Sequence, residues 1–404
     1  MASSDWTTTT LGQVIELKRG YDLPSRDRRD GPYPIVSSPG VSGCHAEAKA
    51  KAPGVVIGRY GTLGEVHYIT QDYWPLNTSL YVRDFKGNDP RFISYFLRSL
   101  DFGAYSDKAA VPGLNRNDLH TAVVRVPAVA EQRVIAHILG TLDDKIELNR
   151  QMNETLESIA RTLFKSWFVD FDPVRAKSEG RDSGLPPHLA DLFPDSLDNS
   201  ELGEIPNGWR VTGLDETATY LNGLALQKYP PNDDGSLPVI KIAQLRAGHT
   251  DGADRASVDI PPAYVVEDGD VLFSWSGSLE IEIWCGGRGA LNQHLFKLTS
   301  GRFPKWFYFL WTRHHLADFR GIAAGKATTM GHIQRGHLSA ARALVPPPRL
   351  VEAMSAHFEP LLDNLIARRL QSRTLAALRD ALLPRLIAGE LRVSDAERSV
   401  GSMQ

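Results

Sequence analysis

The chain has 404 residues, of which 42% are hydrophobic and 23% are charged, and its formal net charge is −3. At about 100–200 residues per domain this length predicts several domains, and the composition excludes disordered, collagen-like and purely coiled-coil proteins. No stretch approaches the ~18 apolar residues of a membrane span, and the net charge excludes a broadly basic nucleic-acid binder but not one with a local basic face.

Two features bear on the cellular compartment. The start of the chain, residues 1–6, has neither the basic region nor the apolar region of a signal peptide. The two cysteines, Cys44 and Cys285, are too few for a disulfide scaffold or a cysteine-based zinc motif, and they suit a reducing cytosol. We therefore expect a cytoplasmic protein without a membrane segment.

Two long copies of one pattern follow each other along the chain. The matched segments are 18–21 with 221–224, 59–62 with 275–278, Leu76-Asn77 with Leu291-Asn292, 115–119 with 334–338, and Val126-Pro127 with Val345-Pro346. Each match is weak alone, but their common order predicts an internal duplication.

The first copy, residues 1–128, predicts a strand-rich domain. Short β-branched runs such as 55–57 and 123–126 are broken by Gly, Pro and Asn, and one aromatic helix is expected near 91–97. After Pro127, apolar residues spaced by multiples of three and four predict a long helix over 129–168.

The second copy repeats this order after a linker. Residues 169–200 are rich in Pro, Ser, Gly and Asp, which is typical of a linker. Residues 201–347 predict a second strand-rich domain, 348–392 a second long helix that Pro384 should kink or end, and 393–404 a loose tail. The expected fold class is α+β.

The two helices are interpreted as an antiparallel coiled coil within the chain. Forty residues at 1.5 Å each span about 60 Å, which is more than one core needs. A coiled coil between two copies of the chain is the alternative, and the high effective concentration within one chain favours internal pairing. The residues expected on the seam, or against a partner, are Ile138, Leu142, Met152, Leu156, Phe358, Leu365, Leu375 and Leu382.

No catalytic constellation is found in the sequence. The glycine-rich segment 58–64 lacks the Lys-Ser/Thr ending of a phosphate loop, and no Gly-x-Ser-x-Gly or Asn-Pro-Pro-Tyr motif occurs. Glu47-Ala48-Lys49 lacks the upstream Asp of a nuclease, and His314-His315 has no carboxylate at metal-ligand spacing. We expect a recognition or scaffold protein with no catalytic residue and no metal site.

Loops that combine Gly, polar residues and Arg or Lys favour local contact with DNA, since such loops reach phosphates and base edges. A solvated polar loop is the alternative. The candidate DNA-binding residues are Arg19, Arg59, Tyr60, Lys108 and Arg116 in the first copy, and Trp275, Arg288, Gln293, Lys326 and Arg335 in the second.

Over residues 1–392 the combined pattern resembles the specificity (S) subunits of type I restriction–modification systems. The resemblance rests on 10–20 with its echo at 203–209, on the turn 112–115, on 131–135, and on 142–149 leading into 163–168. The second copy departs from it, because 348–351 replaces the Glu-Gln-Arg stretch and 330–333 replaces the turn.

The resemblance implies two target recognition domains, each reading one half of a bipartite, asymmetric site on double-stranded DNA. It implies that the long helices set the spacing and dock methyltransferase (M) subunits, which bring S-adenosylmethionine. Restriction (R) subunits would bring ATP- and Mg-dependent translocation and cleavage, so this chain would hold no cofactor and catalyse nothing. The alternatives are a coiled-coil adaptor without DNA binding and a fused methyltransferase, which the missing motifs disfavour.

Overall fold

The structure is a computed structural model that describes residues 6–105, 113–325 and 331–391. Its helices are α1 Leu11–Val14, α2 Pro90–Arg98, α3 Arg116–Thr121, α4 Val129–Phe168, α5 Asp172–Ser178, α6 Pro187–Ala190, α7 Ile242–Ala247, α8 Lys305–His314, α9 Leu316–Ala324, α10 Arg335–Ala340 and α11 Pro348–Ile387. Short 3-10 helices cover Ser25–Asp27, Phe102–Tyr105, Leu214–Glu216, Leu226–Lys228 and Pro262–Tyr264.

The strands before α4 are β1 Thr7–Thr10, β2 Glu16–Arg19, β3 Tyr33–Ser37, β4 Gly40–His45, β5 Gly54–Gly58, β6 Val66–Ile69, β7 Trp74–Pro75, β8 Ser79–Asp84 and β9 Val123–Val126. Those after α4 are β10 Leu197–Ser200, β11 Gly203–Pro206, β12 Arg210–Gly213, β13 Thr219–Asn222, β14 Ser236–Ile240, β15 Arg255–Ser257, β16 Val265–Val266, β17 Val271–Ser274, β18 Ile281–Ile283, β19 Gly289–Leu291, β20 Leu295–Thr299 and β21 Arg342–Val345. The class is α+β, as predicted.

The chain divides into two compact units, of which the first combines residues 1–146 with 374–404. Its main sheet has the order β2-β8-β5-β6, a second sheet has the order β4-β3-β7, and β1 pairs with β9. Strand β5 is buried throughout, which suits its β-branched residues at the centre of the sheet. Helix α2 begins where the Asp89 side chain accepts the N–H groups of Arg91 and Phe92.

The second unit, residues 147–373, has a main sheet of the same size. Its order is β13-β20-β17-β18, a further sheet has the order β15-β14-β19-β16, and β12 pairs with β21. Its core is strongly aromatic, with Trp306 stacked on Phe358 at 4.5 Å between ring centroids and Phe303 on Phe307 at 4.7 Å. The contact between Trp306 and Phe358 holds α8 against α11 within the unit.

Helices α4 and α11 contact each other in opposite chain directions within the second unit. Midway along α4, the fully buried Asn149 donates to Gln371 Oε1 at 2.9 Å and Ser372 Oγ at 3.3 Å. Late in α4, the Trp167 ring packs edge-on against Phe358 at 5.5 Å. Since α11 residues fall in number as α4 residues rise, the two segments run antiparallel.

Two segments differ from the sequence-based expectation. The last helix ends at Ile387 and not at residue 392, and it continues past Pro384 for three residues. The expected linker, 169–200, contains α5, α6 and β10, and it buries Val174, Leu189 and Phe193 in the core of the second unit. It is therefore largely packed structure and not a tether.

Candidate nucleic-acid interface

In the first unit, three backbone segments meet at Arg59, directly after β5. Arg59 donates its backbone N–H to Thr78 O at 3.1 Å, and its own carbonyl accepts the N–H of Leu114 at 3.2 Å. A fourth segment comes close at Gly20, where a Cβ atom would lie only 2.1 Å from Leu76 O. We call residues 19–21, 59–60, 77–78 and 113–116 the first loop cluster.

The second unit repeats this arrangement at Trp275, directly after β17. Trp275 donates its backbone N–H to His294 O at 3.4 Å and accepts the N–H of Ile333 at 2.9 Å. Gly223 makes the matching close approach, because a Cβ atom there would lie 2.2 Å from Asn292 O. Residues 222–224, 275–276, 292–294 and 332–335 form the second loop cluster.

The side chains of Arg59 and Tyr60 support each other in the first loop cluster. The Arg59 guanidinium lies 4.6 Å from the centroid of the Tyr60 ring, within cation–π range, and its Nε donates to Leu114 O at 3.1 Å. Tyr60 is 37% exposed. These two contacts restrict the guanidinium while leaving its terminal nitrogens for another acceptor.

Two further predicted arginines belong to the first loop cluster. Arg19 is exposed, and its Nε lies 3.4 Å from Asn77 O. Arg116 is exposed in the first turn of α3, where the Asn115 side chain caps the helix by accepting the N–H of Asn117. The structure thus brings Arg19, Arg59 and Arg116 to one set of loops.

Trp275 has a different role in the second loop cluster, because its polar atom is already used. Its indole N–H donates to Asn222 Oδ1 at 2.9 Å and to Gln293 O at 3.1 Å. The rings of His294 and His332 lie 5.9 Å and 6.3 Å from it. The half-buried Trp275 side chain can therefore offer a ligand only the surface of its indole ring.

The other candidates of the second copy are placed differently. Arg335 is exposed at the start of α10, two residues beyond Ile333, and so belongs to the cluster. Arg288 does not, because it precedes β19 and pairs with Glu267 at 3.2 Å, about 16 Å of extended chain from Gln293. Lys108 and Lys326 lie outside the described residues.

The backbone hydrogen bonds correct one match between the two copies. The N–H of Asn77 donates to Tyr21 O at 3.0 Å, and the N–H of Gln293 donates to Leu224 O at 2.9 Å. Asn77 therefore corresponds to Gln293, one residue beyond the Asn292 that the sequence comparison had chosen. Because the dipeptide Leu-Asn occurs in both copies, the sequence alignment favoured a register that is wrong by one residue.

Sequence reasoning missed residues whose importance depends on this correspondence. Asn222 precedes Gly223 as Arg19 precedes Gly20, and Trp275 takes the place of Arg59. The second loop cluster thus has the Asn222 amide in place of Arg19 and the Trp275 indole in place of Arg59. Asn222 lies in the matched segment 221–224 but was not among the predicted DNA-binding residues, and alignment on the two glycines is the signal that identifies it.

A second missed group lies beside Arg19. The Lys18 ammonium donates to Tyr21 Oη at 3.1 Å, and the Tyr21 and Tyr81 hydroxyls are 3.1 Å apart. The hydrogen bond with Tyr81, and then that with Lys18, lower the pKa of Tyr21, while burial raises the pKa of Tyr81. Tyr21 Oη thus accepts the hydrogen bond from Lys18, and Lys18 adds a cation to this edge of the sheet.

The predicted seam residues lie mostly inside the chain. Ile138, Leu142, Phe358, Leu365, Leu375 and Leu382 are buried, whereas Met152 and Leu156 are half-buried. Four of the six belong to the first unit's core, and Phe358 belongs to the second unit's core. The six buried side chains are therefore covered by this chain itself.

Two structural features bear on other classes of function. Within 6–105, 113–325 and 331–391, no group of three or more His, Cys, Asp or Glu residues is arranged to hold a metal ion. In that same part of the chain, no helix combines the length and apolar character needed to cross a membrane.

Comparison with known proteins shows which proteins this chain resembles. Residues 3–158 match the model of the type I restriction modification DNA specificity domain. The type I restriction enzyme MjaIX specificity subunit of Methanocaldococcus jannaschii is 25% identical over 80% of this chain and 74% of its own length. The HindI specificity subunit of Haemophilus influenzae is 23% identical over 71% and 73%.

A solved structure shares the fold. The crystal structure of the type I restriction–modification S subunit from M. genitalium superposes with a TM-score of 0.60 and 15% identity, covering 96% of this chain and 97% of that one. The predicted resemblance is thus confirmed by the domain model and by the curated relatives. The chain is thus similar over most of its length to specificity subunits of type I restriction–modification systems, and residues 3–158 match their DNA specificity domain.

Proposed function

We propose that this chain is the sequence-specificity subunit of a type I restriction–modification complex and reads a bipartite, asymmetric DNA site. The observation that carries the proposal is the pair of loop clusters, which share one set of backbone hydrogen bonds but present different side chains. A duplicated frame with Arg19 and Arg59 in one copy and Asn222 and Trp275 in the other suits two readers of unlike half-sites.

Each loop cluster suits the chemistry of DNA recognition. Arginine pairs with guanine through two hydrogen bonds, and lysine or arginine neutralises phosphates. The first loop cluster offers three arginines with Lys18 beside them, whereas the second offers Gln293, Arg335 and the surface of Trp275. We infer that the two copies, 1–128 and 201–347, are the two target recognition domains.

We further propose that α4 and α11 pair as an antiparallel coiled coil that docks the M and R subunits. The antiparallel contacts within the second unit and the buried seam support the pairing. Leu148 and Ile159 of α4 are 47% and 43% exposed, and they lie about three helical turns apart on one face. Such an apolar face is a suitable surface for a partner helix.

The chemistry of the complex is assigned to its partners. S-adenosylmethionine would bind to the M subunits, and ATP and Mg would bind to other partner subunits. This chain would act in the cytoplasm and would catalyse no step. The purified chain with S-adenosylmethionine alone should transfer no methyl group to DNA. Methyl transfer by the purified chain would instead support the fused-methyltransferase alternative.

The deciding experiment is methylome sequencing of cells with and without this chain. We expect one bipartite motif to lose its methylation when the chain is deleted and to regain it on complementation. A gel-shift assay with the cognate M subunit should show binding to the same motif. An unchanged methylome together with no gel shift would favour a coiled-coil adaptor without DNA binding.

A further inference from the structure

A cavity of about 490 Å³ opens in the second unit, and its lining residues do not include those of the second loop cluster. It is lined by the end of α4, the β10–β11 hairpin, and helices α8, α9 and α10. Its deepest side chains are apolar, with Phe168, Trp311 and Phe319 each at most 3% exposed. Cavities of about 300–1,000 Å³ with apolar walls and few polar groups are typical of small-molecule sites.

One polar group of this cavity has a fixed orientation. The His315 Nε2 lies 2.8 Å from Arg342 O, and a carbonyl oxygen only accepts hydrogen bonds, so Nε2 carries the hydrogen. The His315 ring also stacks on Trp311, with 6.0 Å between centroids and 21° between planes. In the neutral ring, the other nitrogen, Nδ1, is consequently a hydrogen-bond acceptor.

A carboxylate lies next to that acceptor. Asp318 Oδ2 is 3.7 Å from His315 Nδ1, which is too far for a direct hydrogen bond. Sequence analysis assigned no carboxylate to His314-His315, but one turn of α9 places Asp318 beside them. Two acceptors side by side suit a ligand that supplies two N–H donors.

The charges around the cavity favour a cation. Asp318 and Glu204 both line it and are exposed, whereas the cationic Arg342 is paired with Glu201 at 3.1 Å. The lining therefore has an excess of negative charge. It would repel a DNA phosphate, so the site is distinct from the proposed reading surface.

We propose that this cavity binds a small organic cation with a flat apolar body, whose N–H groups donate to His315 Nδ1 and to the Asp318 carboxylate. The aromatic floor receives the flat body, and the two acceptors receive an amidinium-like or aminated head group. This activity goes beyond DNA recognition and does not require it, so either proposal can fail without the other.

The test uses the full chain and isothermal titration calorimetry with benzamidine as the cation and benzamide as its neutral counterpart. We expect one saturable site, with benzamide binding at least tenfold more weakly. Asp318→Asn should weaken benzamidine binding about tenfold. The matched control Asp363→Asn, which removes an exposed carboxylate of the same unit outside the cavity, should leave binding unchanged.

A second variant tests the location. Ile322 lines the cavity and is half-buried, so Ile322→Trp should fill it and abolish benzamidine binding without a change in the circular dichroism spectrum. The proposal is overturned if no saturable binding is seen, if benzamide binds as well as benzamidine, or if either the Asp318→Asn or the Ile322→Trp chain binds like the unmodified chain.

Discussion

Single residues determine how the first unit's fold responds to pH, and His120 is the clearest example. The N–H of Leu17 donates to His120 Nε2 at 2.9 Å, so this nitrogen carries no proton in the folded chain. Burial, followed by repulsion from Arg116 and Lys86, lowers the pKa of His120. Protonation would replace the acceptor with a second donor facing the Leu17 N–H.

The unfolded chain therefore binds a proton at His120 more readily than the folded chain does. The resulting stability is present above the unfolded pKa of about 6.5 and is lost as the pH falls below it. In His120→Gln, the amide oxygen accepts the Leu17 N–H and does not titrate, so urea unfolding at pH 7.5 and 5.5 should differ less than in the unmodified chain. His188→Gln, at an exposed site, serves as the control; an equal pH effect in all three chains would exclude His120 as a contributor.

Arg59 is the residue from which we expect base discrimination. Its Nε is held by Leu114 O and its plane by the Tyr60 ring, so the terminal nitrogens are preoriented. Arg59→Ala should cost ~1–3 kcal/mol of discrimination at one base pair of one half-site. Arg59→Lys should keep affinity but relax that preference, because lysine lacks the planar fork.

Methylation of a library of site variants measures this. Arg26→Ala, which removes an 86% exposed guanidinium of the same unit, should change nothing. A preference lost at both half-sites, or at neither, would contradict the role assigned to Arg59.

The site could be predicted only where the loops themselves carried the signal. Arg59 and Tyr60 stand beside Gly61 in a turn, and this local pattern was sufficient to select them. Arg288 also stands beside a glycine, but β19 separates it from Gln293. Which loops converge is decided by long-range strand pairing, and the sequence of a single loop does not contain that information.

Among the elements, the long helices carry the most specific prediction. Leu142 and Leu365 are 2% and 3% exposed, so a glutamate at either position would be an unpaired buried charge. Each of Leu142→Glu and Leu365→Glu should lower the free energy of unfolding by more than about 4 kcal/mol. Leu148→Glu, at a 47% exposed site of α4, should leave folding intact and weaken co-purification with the M subunit.

Urea unfolding and co-purification separate these outcomes. If Leu142→Glu and Leu365→Glu chains fold normally, the two side chains do not form a buried seam. If Leu148→Glu co-purifies like the unmodified chain, the exposed face of α4 is not where M docks.

The elements differed in how well local pattern predicted them. Helix α4 runs over Val129–Phe168, where its apolar stripe had placed it, because helical periodicity is a local property. Helix α11 continues past Pro384 because Leu386 and Ile387 are buried beyond it, and each buried side chain contributes ~1.5–3 kcal/mol against about 3 for the proline.

The segment 169–200 was misread for the opposite reason. Its composition is that of a linker, but Phe193 packs edge-on against Trp167 at 5.9 Å, and Leu189 is 1% exposed. Helices α5 and α6 are too short to show a period, so only packing against distant residues stabilises them.

For the whole molecule, the important fact is that the C-terminal part of the chain contributes side chains to the core of the first unit. Residues 374–404 belong to it, and Leu375, Leu382 and Leu386 join the core that contains Leu139 and Leu142. A domain exchange must therefore keep the contacts between the exchanged part and both long helices.

Those contacts are specific within the first unit. Arg91 of α2 makes a two-fold hydrogen bond to Asp144 at 2.5 and 2.9 Å, and the Tyr95 hydroxyl donates to Asp143 at 2.6 Å. Arg379 of α11 donates to the same Asp143 at 2.7 Å. A donor domain that carries Arg and Tyr at these two positions of α2 should fit the existing helices.

Replacing 1–128 with the corresponding domain of such a relative should change one half of the methylated site and leave the other intact, because 201–347 and its loop cluster are untouched. Methylome sequencing of cells that carry the chimera measures both halves at once. The matched control is the same exchange with Arg91→Ala and Tyr95→Phe introduced, which should reduce the amount of folded chimera without altering the motif that the remainder reads. A change in both half-sites, or in neither, would contradict two independent readers, since each loop cluster is formed by hydrogen bonds within its own unit.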